Sequence, residues 1–588
     1  MRQKQILKRV LGLVLAVVLC MSMVACSDGK SKESNTKDDK YLEQFEIVPD
    51  DGTPSWEYDQ TDYDFTWFLN ASWMTWPTNG ADLVSKVIYE KTGCKIEIIT
   101  PGDDSGNQLS TMISSGDLAD VVSVQAGSLM ESQLADQGYV WAIDTLMEKF
   151  APSMKSRYYE EQTDVYNWFK RGDGKLYGIP NLCYTDYYLE DVSLAPNGAI
   201  LVREDWYKEV VEKTGEDMTT KESFLKGCEY INKKYPNAIP VQLDPFTATG
   251  NLSVTWLMQY FAVPFEQENG EYNYQYSDPK FREVISFLNT LFVNGYIDEA
   301  NLTANADAVS RNIARGNVFV SMATPQNYND SFTNLYNNGT TYIPLVLKND
   351  AGDAPVLQDL RGKGYLLSMI TKNAKRPDKI IKVFDYLTSE EGQLLINFGV
   401  EGDTFVWDEE HEKVVWTDKY VNDYDNNNTT QYGFGLCNML LNQSFYDKVA
   451  PAGTAAKEDY SIYISNLKRP LCPYSYDYTA SFLLPDTTHD DYFGYVEKQE
   501  NLNKIWGRFL PLMIGAASEK EALEKLDSTL ESMKANELDF VVSFMAEGYK
   551  KAKEAAGVEK GWPAYQEGYE VPITGANGDF SYWNDIKR

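Results

Sequence analysis

From Asp62 to Pro77 the chain reads DYDFTWFLNASWMTWP, and its apolar positions change rhythm half-way. Tyr63, Phe65, Trp67 and Leu69 alternate with Asp62, Asp64 and Thr66, the period-two pattern of a strand. Asn70, Ala71 and Ser72 break the alternation, and Trp73 and Trp76 follow in a loop that ends at Pro77. Thr78 or Asn79 offers an N-cap for a helix with Leu83, Val87 and Ile88 as its apolar stripe. Cys94 to Thr100 is a second β-rich run, so the stretch predicts a strand–helix–strand unit. A short helix around Leu109 to Ile113 leads into Val121–Val124, an apolar strand read as parallel and buried on both faces. The helix Leu129–Gln137 and the run Tyr139–Asp144 continue the alternation. Ligands of open α/β sheets bind beyond the carboxyl ends of the strands, which puts Trp73 and the Gln125–Ser128 loop on one rim.

The N-terminus has a different pattern. Arg2, Lys4, Lys8 and Arg9 precede an apolar run from Val10 to Cys20, shorter than the roughly 20 residues a membrane-spanning helix needs. Its length and flanks are those of a secretory signal. Met23-Val24-Ala25-Cys26 resembles the lipobox of bacterial lipoproteins, which implies lipid on Cys26 and removal of residues 1–25. Lys30 to Asp51 is rich in Ser, Lys and Asp, so residues 26–57 are expected to form a disordered tether before the aromatic content rises near Trp56.

Roughly 530 residues then remain, more than one hydrophobic core can organise. The net charge of −33 argues against nucleic acid, because phosphate binding needs clustered Lys and Arg. Cys94, Cys183, Cys228, Cys437 and Cys472 are odd in number and scattered, so they form no disulfide framework, although one pair could form. With His411 and His489 as its two histidines, the chain has no basis for a histidine zinc site; His411-Glu412 lacks the second histidine of HExxH. Asp423, Asp425 and Asn427 alternate as in a calcium loop, but Asn428 replaces the turn glycine and Phe434 the bidentate glutamate, leaving a polar loop. There is no nucleophile elbow or phosphate-binding loop, and no metal or cofactor is expected.

An ordered series of segments carries a resemblance. Tyr89–Gly93 is followed by Gly116–Val122, Gly138–Asp144 and Asp173–Pro180; then come Leu201–Trp206, Phe281–Asp298, Arg315–Met322, Asn373–Gly392 and Leu510–Gly515. In this order they resemble a family 1 extracellular solute-binding protein, the class that delivers sugars to ABC importers. The resemblance implies a type II periplasmic-binding-protein-like α/β fold: two α/β lobes joined by a hinge, with the ligand cleft between them. The expected division is 58–184 for the first part of lobe one, 185–343 for lobe two, 344–430 for the return to lobe one, and 431–588 for lobe two and C-terminal helices. Longer relatives often carry a calcium loop before the strand that here reads Ala238–Gln242; Lys233–Asn237 stands there instead.

A sugar site needs flat aromatics against the apolar faces of the rings and planar donors and acceptors for the hydroxyls. Strand ends taken in family order nominate Asn70, Trp73, Trp76, Gln125 and Ser128 from lobe one, with Tyr184, Asp186 and Tyr187 after the crossover. Trp256, Gln326 and Tyr328 come from lobe two, and Tyr365 and Trp407 from the return. The resulting expectation is a monomeric, lipid-anchored receptor on the extracellular face of a Gram-positive type membrane, binding an oligosaccharide and partnering ABC permease subunits. A surface glycan hydrolase, or a peptide receptor of the same fold, is the alternative.

Overall fold

The computed structural model describes residues 38–563 apart from 39, 73, 75–79, 103–105, 186–194, 359–361, 427, 435–436, 452–463, 465–466, 477–486, 488 and 557–558. The signal segment, Cys26, Trp73, Trp76, Asp186 and Tyr187 lie outside the described residues.

The chain opens with β1 (Tyr63–Leu69), α1 (Leu83–Thr92), β2 (Cys94–Ile99), α2 (Asn107–Ser115), β3 (Val121–Gln125), α3 (Leu129–Asp136), α4 (Ile143–Phe150) and β4 (Ile179–Pro180). It crosses to β5 (Leu201–Arg203), β6 (Ile239–Gln242), α5 (Leu252–Tyr260), α6 (Pro279–Val293), β7 (Val318–Ser321), β8 (Tyr342–Pro344) and β9 (Leu357–Gln358). It returns for β10 (Leu366–Ile370), α7 (Pro377–Thr388) and the hairpin β11 (Phe405–Trp407) with β12 (Val414–Trp416). A last passage brings β13 (Ser475–Tyr476) and the helices α8 (Tyr492–Ile514), α9 (Glu519–Lys534) and α10 (Leu538–Ala556).

Lobe one is built on the sheet β2-β1-β3-β10-β4. β1 pairs in parallel with β2 and β3, whereas β10 runs antiparallel to both β3 and β4. The period-two reading of β1 holds: Phe65, Trp67 and Leu69 enter one core with α1, α4 and α7, while Phe68 enters the opposite core with α2 and α3. Val121 and Val122 of β3 divide between the same two cores, so the sheet is covered on both faces. Helix α1 starts later than expected, because Asp82 is its N-cap and accepts from Ser85 N–H; Val84 and Ile88 form its buried stripe.

Lobe two has the sheet β6-β7-β5-β8, with β6 and β7 parallel. Its core takes Leu257 and Phe261 around α5, Phe281 and Leu288 of α6, and Trp506, Leu510 and Met513 of α8.

Two expectations need correction. Residues 26–57 are not all tether: Leu42, Val48 and Trp56 are buried, Trp56 packs edge-on against Tyr386, and Tyr41 stacks on Trp141. Asp59 bonds Arg376 and Lys379 just beyond this segment. A few apolar residues spaced among charges fill separate niches on lobe one, which an average over composition does not reveal. The boundaries at 344 and 431 also move. Leu345, Leu347 and Leu357 belong to the lobe-two core, so the return starts after Gln358; Met439 and Leu440 belong to the lobe-one core, and lobe two resumes by Ile464. Long-range pairing sets these limits.

Candidate ligand-binding cleft

The strand directions define a rim on each lobe. On lobe one, β1 and β3 end at Leu69 and Gln125, and the antiparallel register Leu366↔Gln125 brings the start of β10 to the same edge. Ala126 N–H donates to the Tyr365 carbonyl at 2.9 Å and Asn70 N–H to the Ser123 carbonyl at 3.0 Å. Asn70 is half-buried, Gln125 is exposed, and Tyr365 is 38% exposed. These are an amide, a second amide and a phenol on one edge. Ser128 also stands there, but its Oγ is already used as the N-cap of α3, accepting from Glu131 N–H at 3.2 Å.

On lobe two, β6 and β7 end beside the start of β5. Asp244, two residues past β6, is 2% exposed. Its Oδ2 accepts from Thr324 N–H at 2.8 Å and Thr324 Oγ1 at 2.6 Å, whereas the Tyr328 hydroxyl lies 3.5 Å from Oδ1. Burial pushes the Asp244 carboxyl up to about 6 against the pull of these donors. The Trp256 indole N–H donates to Thr324 Oγ1 at 2.8 Å, so indole, hydroxyl and carboxylate form a relay across the rim.

Residues that flank the passages between the lobes bond to one another. Tyr184 N–H meets the Gly362 carbonyl at 2.7 Å, and Asn197 N–H meets the Gln358 carbonyl at 2.9 Å. Lys468, 1% exposed, directs its ammonium at the Asn197 carbonyl (3.4 Å) and Gln326 Oε1 (3.2 Å). Burial lowers its pKa to about 7. Asp447, whose carboxyl burial pushes up, accepts from the Tyr184 hydroxyl at 3.0 Å and Gln443 Nε2 at 2.7 Å.

The nominated residues therefore divide. Asn70, Gln125 and Tyr365 reach the lobe-one rim. Trp256 and Tyr328 reach the lobe-two rim but are each 5% exposed, so they shape it from beneath and offer little ring face. Tyr184 and Gln326 are tied into the crossover, through Asp447 and Asn197 respectively. Trp407 comes to neither rim; it packs edge-on to Phe405 and close to His411 in the β11–β12 hairpin. Asp244, Thr324, Lys468 and Asp447 were not nominated. An acidic residue directly before Pro245 at a strand end was the available sign for Asp244; nothing local marks Lys468.

The metal readings can be placed too. Asp423 accepts from Gln431 at 3.0 Å, Asn428 at 3.3 Å and Tyr432, so its carboxylate is spent inside the polar loop. Beside Lys233–Asn237, Glu209 binds the Lys234 ammonium and the Tyr230 and Tyr235 hydroxyls. No cluster of three or more metal-ligating side chains occurs among the described residues. Cys94, Cys183 and Cys228 are free and buried, and Cys472 is buried. No helix of the described residues is long and apolar enough to cross a membrane.

The family model for bacterial extracellular solute-binding proteins matches residues 75–394, more than half of the chain. The chain belongs to that family. Solved structures share the solute-binding protein's fold at low identity. FusA of S. pneumoniae, an ABC-transporter substrate-binding protein in complex with fructo-nystose, is 17% identical, with a TM-score of 0.63 over 84% of this chain and 100% of that one. An HMO-binding solute-binding protein from Bifidobacterium longum infantis is 16% identical, with a TM-score of 0.60 over 83% and 99%. The alginate-binding protein AlgQ2 is 19% identical, with a TM-score of 0.55 over 84% and 99%. No protein of curated description matches the sequence of this family member.

Proposed function

We propose that this solute-binding protein captures a carbohydrate, an oligosaccharide, between its lobes and hands it to the permease of an ABC importer. The observation that supports the cargo class is the lobe-one rim: an exposed amide (Gln125) and an exposed phenol (Tyr365) beside Asn70. A phenol ring can cover the apolar face of a pyranose or furanose, and amides can pair its hydroxyls. The fold-sharing proteins named for fructo-nystose, HMO and alginate support the same class. The protein acts as a monomer, held at the extracellular face of a Gram-positive type membrane by lipid on Cys26. It binds without turning over its cargo.

A thermal-shift screen of the mature chain against oligosaccharides and peptides tests this. A ligand at 100 times its Kd adds about 2.7 kcal/mol, a readable shift. Stabilisation by oligosaccharides recovered intact is expected. Cleaved sugars would establish a hydrolase, and stabilisation by peptides alone would overturn the cargo class.

A further inference from the structure

The rim loop Gln125–Ser128 runs directly into α3, and the first backbone donors of a helix need partners from outside the helix. Here two of the N–H groups around the helix start go to carboxylates of different origin. Gly127 N–H donates to Glu131 Oε2 at 3.1 Å, a contact inside lobe one. Leu129 N–H donates to Glu500 Oε1, also at 3.1 Å. Glu500 belongs to α8, whose Trp506, Leu510 and Met513 lie in the lobe-two core. A carboxylate from one lobe thus caps the rim helix of the other, at the end where the helix dipole favours negative charge.

The same helix reaches the loop a second way. Arg171, 5% exposed, bonds Glu131 Oε1 at 3.1 Å and Asp136 Oδ2 at 2.6 Å, and its guanidinium lies 4.7 Å from the centre of the Tyr492 ring. Tyr492 is the first residue of α8, and eight residues separate it from Glu500, about 12 Å of helix. Just before it, Thr487 Oγ1 donates to the Lys170 carbonyl at 2.8 Å. Further along, α8 supports the other rim. A β-carbon on Gly507 would come within 2.3 Å of the Ala248 carbonyl, and one on Gly250 within 3.5 Å of the Trp506 ring.

We propose that α8 is a strut linking the two rim loops, with Glu500 as an interlobe latch and Arg171 as a positioning residue for the Gln125–Ser128 loop. The proposal rests on reading that loop as part of the ligand rim. Widening the cleft along this side breaks the Glu500–Leu129 bond and slides Tyr492 off Arg171. The start of α3 loses a cap as the lobes part, so the loop's geometry and the spacing of the lobes change together. Glu500 keeps Lys504 on its own helix at 3.8 Å as a fallback partner, which makes the latch reversible.

The test uses the mature protein without ligand, so it is independent of the cargo class. Hydrogen exchange and small-angle scattering are compared for wild type, Glu500→Gln, Glu500→Ala and Arg171→Lys. In Glu500→Ala the Leu129 amide should exchange about 3–10-fold faster, as expected for losing one partly exposed charge-assisted bond, with a larger radius of gyration and an unchanged melting temperature. Glu500→Gln, which keeps an acceptor, should fall between the two. Arg171→Lys should speed exchange at Gly127. Unchanged Leu129 exchange and unchanged scattering in Glu500→Ala would overturn the latch. So would faster exchange spread evenly over lobe one, which would mark a purely structural contact.

Discussion

The indole of Trp256 lies against Gly198, so close that a β-carbon there would stand 2.1 Å from the ring. Gly198 lies three residues before β5, and Trp256 sits on α5 with its indole N–H on Thr324 Oγ1. Gly198→Ala must displace the ring or the strand and should cost about 1–3 kcal/mol, as overpacking does. Urea unfolding gives the loss. A red shift in tryptophan emission in the folded baseline would show that the indole has left its place, and an unshifted, fully stable variant would refute the close fit.

Asp244 should leave a pH signature. Its carboxyl is raised from the ordinary 3.8 to about 6 by burial, so the folded state holds its proton more tightly than the unfolded state does. The sign follows: the stability it contributes is complete below pH 3.8 and is lost as pH rises through 6. At neutral pH the buried charge costs roughly 3 kcal/mol at most. Asp244→Asn should therefore compare best with wild type near pH 7 and worst near pH 4, in urea titrations at both values.

Lys468 works in the opposite direction along the pH scale. Burial lowers it from 10.5 to about 7, so between those values the unfolded chain carries the extra proton. The cost of burying the ammonium is complete below pH 7 and lifts as pH rises towards 10.5. Lys468→Met should flatten this slope, read as melting temperature at pH 6, 7.5 and 9. An equal slope in wild type and variant would mean that water reaches the crossover.

Gln125 and Tyr365 are exposed, so their truncation should separate binding from folding. Gln125→Ala and Tyr365→Ala should each weaken oligosaccharide affinity about 3–10-fold, the scale of one neutral hydrogen bond or one ring contact. Melting temperature should stay within about 2 °C of wild type. Calorimetry with an oligosaccharide found in the screen checks the first, and a thermal scan the second.

Trp56, against Tyr386, is the anchor of the N-terminal strap. Trp56→Ala should cost about 3–5 kcal/mol, a core-sized loss from a position that reads as linker. Chemical denaturation measures it, and a loss below 1 kcal/mol would show the strap to be dispensable.

The local patterns were readable and the long-range ones were not. Alternation placed β1 and its buried face, and the apolar run at Val121 gave a central strand. The N-cap at Asp82 was missed because Thr78 and Asn79 carry the same capping signal four and three residues earlier, and only the packing of Val84 and Ile88 decides between them. Ser123 and Ser368 share a hydrogen bond of 2.8 Å across 245 residues, and no local signal ties β10 to β3. The abundance of tryptophan and tyrosine marks no stacking surface by itself: Trp67, Trp256 and Trp506 are core residues. Burial of large aromatics is favourable wherever it occurs, so abundance alone does not separate floor from lining. Asp244 and Lys468 acquire their unusual titration from neighbours far apart in the chain, which a linear reading does not see.

The strap over lobe one shortens the leash. Under the lipid anchoring proposed at Cys26, with Asp38 held by Lys372 at 2.6 Å, only about 12 residues would bridge anchor and body, a full stretch of roughly 40 Å. A tether running to residue 57 would have allowed more than twice that. So anchored, its search for a permease would be confined to a thin layer above the bilayer, where two dimensions replace three and the local concentration of both partners rises. Because the strap packs on the Trp141 side of lobe one, that face would also be the one turned towards the lipid.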